Sequence, residues 1–104
     1  NEAIQDATKH AILTPFKVMK TAYSSMKIMK EMAEIGNPNS VTDAGVGALC
    51  ARTAVIGAFL NVKINCSDYK DKDFVKDILK EGRQLVDDCC KTESEILKIT
   101  NSKI

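Results

Sequence analysis

The sequence predicts an all-α fold, an antiparallel bundle of long helices. Apolar residues recur at steps of three and four along most of the chain, and no stretch alternates with the period of a strand. The clearest punctuation is the run Gly36, Asn37, Pro38 and Asn39. With 104 residues the length fits one domain. A chain of this size buries roughly two-thirds of its unfolded surface, so it folds without staples or metal.

The first helix is predicted from about Glu2 to Ile35. Phe16, Met19, Tyr23, Met26, Met29 and Ala33 form its apolar side, and Lys17, Lys20, Ser24, Lys27, Glu31 and Glu34 the polar one. Lys27 with Glu31, and Lys30 with Glu34, are spaced to pair across one turn. Pro15 predicts a break or kink, with Thr14 capping a new helix and Pro15 in its first position. Gly36 suits a left-handed helix end, and Pro38 prevents continuation.

The second helix is predicted over about Val41 to Asn65, capped by Asn39 or Ser40, with Asp43 as the acidic member of a capping box. Gly45, Gly47 and Gly57 lie inside it, and each costs about 1 kcal/mol relative to alanine. Close approach by a neighbouring helix or a ligand is the expected compensation. Asp68, Asp71 and Asp73 place negative charge at the start of the third helix. Its apolar positions include Phe74, Ile78, Leu85, Cys89 and Ile96, and Gly82 predicts a helix crossing.

Composition excludes several functions. Fifteen Lys and Arg against fourteen Asp and Glu leave a net charge of +1, without the basic patch that nucleic-acid binding requires. Aromatic residues are 5% and Trp is absent, which argues against stacking on single strands. No signal peptide is expected, because lysines interrupt the first thirty residues. The apolar run Val41 to Val62 contains Asp43 and Arg52, each costly at a bilayer centre, and reads as a buried helix rather than a membrane span. Cys50, Cys66, Cys89 and Cys90 lack metal-ligand spacing and read as free thiols in a reducing cytoplasm. The chain opens at Asn1 without Met, as a trimmed piece of something longer would.

No nucleophile elbow, P-loop, dinucleotide fingerprint or HExxH sequence is present. His10, the single histidine, reads as an exposed helix residue, and the cysteines as core fillers. Attention therefore falls on the turn. Asp43, placed in a first helical turn, is expected to stay ionised and to face either N–H donors of a flat heterocycle or a cationic intermediate; a simple capping role is the alternative. Asn61 and Asn65, one turn apart, either orient a ligand or bond between helices. Arg52, amid small apolar residues, requires a carboxylate partner or a cleft.

The stretch 36–65, GNPNSVTDAGVGALCARTAVIGAFLNVKIN, closely resembles the C-terminal half of the cyclodeaminase/cyclohydrolase family. TPFKVM before it and YKDKDFVKDIL after it carry the same resemblance, so it covers nearly all of the chain. That family includes the cyclodeaminase domain of formiminotransferase cyclodeaminase and the stand-alone bacterial methenyltetrahydrofolate cyclohydrolases. The resemblance implies a cytoplasmic, all-helical folate enzyme, usually a homodimer, with no metal and no cofactor beyond its tetrahydrofolate substrate.

It places Asn37, Asn39, Ser40 and Asp43 at the folate cleft, with Arg52, Asn61 and Asn65 as weaker candidates for organising it. The family's first half, with its glycine-rich helix start and its acidic proton donor, matches nothing here, so the general acid is expected outside this chain. Hydrolysis of methenyltetrahydrofolate to formyltetrahydrofolate is the leading expectation. Cyclodeamination of formimidoyltetrahydrofolate with release of ammonia is the second. A non-catalytic helical association module is the third.

Overall fold

The computed structural model describes residues 1–104 and consists of three helices: α1 (Glu2–Ile35), α2 (Pro38–Cys66) and α3 (Lys72–Ser102). They run up, down and up in a rod of 56 × 18 × 16 Å, the antiparallel all-α bundle that the sequence predicts. Helix α2 packs against both neighbours and supplies about half of the core. By length and composition α2 is apolar enough to cross a membrane, and 39% of its apolar stretch is buried inside the molecule.

The apolar stripe of α1 faces inward at Phe16, Met19, Met26 and Ala33, joined by Ile12. From α3, Ile78, Cys89 and Ile96 complete the core. Gly82 marks a crossing: the Phe59 ring of α2 lies where a side chain at residue 82 would begin. Gly45 and Gly47 are also explained by close neighbours, Thr100 and Met29 respectively, with 3.3 Å to an added Cβ in each case.

Pro15 does not break α1, contrary to expectation. Proline has no N–H to give the carbonyl four residues earlier, which here is Ala11. Asn65 of α2 fills that vacancy, its Nδ2 donating to the Ala11 oxygen at 3.2 Å. The helix therefore continues because a residue 54 positions away satisfies the orphaned acceptor. Asn65→Ala is expected to cost about 1 kcal/mol with Pro15 present. The cost should largely vanish in the Pro15→Ala background, where residue 15 regains its own N–H. A double-mutant cycle read by urea unfolding checks this, and additive effects would refute it.

Three other local expectations are corrected. Gly36 is extended (φ −76°, ψ 158°), not left-handed. Glycine is needed there for space, since a Cβ would stand 2.5 Å from the Met32 oxygen and 2.6 Å from Ser40 Oγ. Lys30 pairs with Glu95 of α3 at 3.0 Å, not with Glu34. The third helix starts at Lys72 behind the cap Asp71, so Asp68 belongs to the preceding turn.

Candidate functional site

Pro38 begins α2, three residues earlier than the sequence suggested, and Asn37 is the cap rather than Asn39 or Ser40. The Asn37 Oδ1 accepts from the backbone N–H of Asn39 at 2.9 Å and of Ser40 at 3.2 Å. Ser40 Oγ in turn accepts from the Asn37 N–H at 3.1 Å. This is a reciprocal capping box whose third-position member is Ser40, not Asp43. Asn37 and Ser40 thus have their side chains committed to shaping the turn.

Asp43 sits in the second turn of α2, where the first-turn dipole argument weakens. Its carboxylate is exposed and makes no hydrogen bond or ion pair within the chain; the Asn39 amide one turn earlier is equally exposed and unbonded. The pair is therefore available to something outside the three helices.

Asn39 and Asp43 open a continuous free face of α2. Val46, Cys50, Thr53, Gly57 and Asn61 follow at steps of three and four, which sets them on one side of the helix. All are exposed except Gly57, which is half-buried. Gly57 is the one glycine of α2 whose added Cβ would meet nothing within 4 Å. No contact inside the chain accounts for glycine there.

Beside this face, α1 and α2 enclose an open groove of about 770 Å³. Ala11, Val18, Ala54 and Gly57 are among its lining residues, with His10, Thr14 and Asn61 among its polar groups. Asn61 and Asn65 both border the groove, but Asn65 is occupied with the Ala11 and Asn61 carbonyls. The turn borders none of the larger grooves. Asp43 and Asn61 stand 18 residues apart on one helix, about 27 Å along its axis. The two candidate groups share a face, and the fold does not bring them together.

Arg52 points the other way, toward α3, and finds its carboxylate. Its Nη1 lies 3.3 and 3.4 Å from the two oxygens of Glu93. The Glu93 side chain is only 7% exposed, whereas that of Arg52 is 46% exposed. The neighbouring Glu93 charge raises the arginine pKa further, so the guanidinium stays charged. Glu93 was missed in the sequence because its charge sits among other charged residues of a helix that reads as solvated. No three His, Cys, Asp or Glu side chains converge as a metal-binding group.

Residues 1–84 match the family profile described as Formiminotransferase-cyclodeaminase. The chain belongs to that family. Among curated relatives, the formimidoyltransferase-cyclodeaminase of Dictyostelium discoideum is 33% identical over 101 residues, covering 97% of this chain and 19% of the relative. The methenyltetrahydrofolate cyclohydrolase of Methylorubrum extorquens is 31% identical over 101 residues, covering 97% of this chain and 49% of the relative. The formimidoyltransferase-cyclodeaminase of Rattus norvegicus is 33% identical over 79 residues, covering 76% and 14%. The chain thus spans about half the length of the cyclohydrolase and a fifth or less of the two cyclodeaminases.

Proposed function

We propose that this chain supplies one wall of a tetrahydrofolate site in an enzyme that hydrolyses methenyltetrahydrofolate to formyltetrahydrofolate. The observation that carries the reading is the free Asn39–Asp43 pair on an uncovered face of a chain from a folate-enzyme family. The methenyl carbon bridges two nitrogens as an amidinium cation. Water adds to that carbon with loss of one proton; the hydroxyl then becomes the formyl C=O as one C–N bond breaks, its proton leaving while the released nitrogen gains one. An exposed carboxylate beside an amide is suited to holding the pterin N–H donors or facing that cation. Asn37 and Ser40 act by fixing the turn that presents the pair. Arg52 and Asn65 support the helices rather than the substrate, and Asn61, exposed at the α1–α2 groove, lies about 27 Å along the helix from Asp43.

The proton donor belongs to the surface that covers this face, which a second copy supplies in a homodimer or which lies in a part of the family domain outside the match. Proton transfer and a held pterin suffice for the chemistry, so no metal or further cofactor is assigned. The cytoplasm, where tetrahydrofolates are interconverted, is the proposed location, with neither nucleic acid nor membrane as a partner.

A second reading is favoured by the names of the Dictyostelium and rat relatives. It is closure of a formimidoyl group onto the second folate nitrogen with loss of ammonia. Titration with methenyltetrahydrofolate, following bound ligand and loss of the methenyl near-ultraviolet band, tests the first reading. Ammonia released from formimidoyltetrahydrofolate tests the second. Association without binding of either folate would leave a non-catalytic helical module. Asp43→Asn is expected to weaken folate binding by about 1–3 kcal/mol, the range for losing a charged hydrogen-bond partner. Unchanged affinity would remove Asp43 from the site.

A further inference from the structure

The last turn of α1 contains no basic residue, so its unpaired carbonyls lack a cation from their own helix. Lys103, at the far end of α3, takes that role. Its Nζ lies 2.7 Å from the Ala33 oxygen, 2.5 Å from that of Glu34 and 3.2 Å from that of Gly36. An ammonium has three N–H donors, and here three carbonyls receive them.

One helical turn earlier, the buried Thr100 Oγ1 donates to the Val41 oxygen of α2 at 3.2 Å. The same threonine packs closely against Gly45, where an added Cβ would stand 3.3 Å from its Oγ1 and Cγ2. The end of α3 therefore grips both sides of the α1–α2 turn: the outgoing chain through Lys103, and the incoming helix through Thr100. Both residues lie beyond the 1–84 span of the family match.

We infer that Lys103 and Thr100 form a clamp that sets the position of the α1–α2 turn and, through it, of Asn39 and Asp43. They are positioning residues; neither reaches the exposed face. The functional part of the inference rests on the folate reading above. The turn is tied on both sides, by the Gly36 N–H to the Met32 oxygen at 2.8 Å and by the reciprocal bonds of Asn37 and Ser40, so a displacement of the end of α1 is carried into α2. A shift at Gly36 is passed to Asn37 and hence to the first turns of α2.

The test compares the wild type with Lys103→Met, Lys103→Arg and Thr100→Val, each confirmed helical by circular dichroism. Amide hydrogen exchange is read residue by residue, and methenyltetrahydrofolate affinity in parallel. A clamp predicts that Lys103→Met speeds exchange at Ser40 and Val41 by at least about tenfold, while the middle of α2 is unchanged. It also predicts about tenfold weaker folate binding, with both effects recovered in Lys103→Arg, whose guanidinium still donates to carbonyls. Thr100→Val should show the same pattern on the α2 side.

A mere cap on α1 predicts faster exchange at Gly36 alone, with Ser40, Val41 and affinity untouched, and that result overturns the clamp. A loosened turn with unchanged affinity, in a chain that binds folate, overturns the positioning role. A wild type that binds no methenyltetrahydrofolate overturns the folate reading, and the exchange at Ser40 and Val41 then decides the clamp by itself.

Discussion

Gly82→Ala is expected to destabilise the protein by about 2 kcal/mol, although alanine is the better helix former by about 1 kcal/mol. The reason is the Phe59 ring. An added Cβ would stand 2.8 Å from Cδ1 and 3.1 Å from Cζ, and closer still to Cε1. Phe59 is itself 6% exposed, so the ring has no free space into which to turn. Urea unfolding checks the sign. Phe59→Leu in the same background should recover part of the loss, because the shorter side chain withdraws from the crossing.

Gly57→Ala is the matched control. With nothing within 4 Å of the new methyl group, the same substitution should stabilise by up to about 1 kcal/mol. A loss of stability at Gly57 would mean that another surface sits on that face in solution.

Met26→Ala should cost about 3 kcal/mol, the middle of the range for truncating a fully buried methionine. Its effect should extend to a thiol. Cys89 is fully buried and donates to the Met26 sulfur at 3.5 Å. Burial first, then the nearby Cys90 and Glu93, push its pKa up to about 11. Burial likewise raises the Cys66 thiol.

In the native wild type, exposed Cys50 should react with a thiol reagent well before Cys89 and Cys66. Met26→Ala should open a path to Cys89. Equal labelling of Cys50 and Cys89 in the native wild type would contradict this packing. The pH dependence has a definite sign: Cys89 holds its proton more tightly folded than unfolded. Its contribution to stability is present below about pH 9 and lost as pH rises toward about 11. Unfolding titrations on either side of that window measure it.

The sequence by itself determined the number and type of helices, because apolar periodicity and the turn residues at 36–39 are local signals. It also marked core residues of α1 and α3, Met19, Met26, Ile78 and Cys89 among them, and the crossing at Gly82, but it assigned no core face to α2, which supplies about half of the core. It located the turn but not its cap. Asn37, Asn39 and Ser40 are all capable caps, and the choice depends on where the chain first becomes helical. Asp43 kept its place as a candidate for a different reason from the one expected. It lies on an uncovered face, not in the first turn.

Tertiary structure alone decided the rest, because the deciding partners lie far apart in sequence. Pro15 stays within one helix because Asn65 reaches the carbonyl it leaves unpaired. Lys30 has an acidic neighbour one turn away, yet it joins Glu95, 65 residues on. Arg52 meets Glu93 across 41 residues, and Lys103 closes the end of α1 across 70. Helical periodicity reports which side of a helix is apolar. It carries no information about which polar group on another helix will stand opposite, and here those polar groups hold the turn and the candidate site in place.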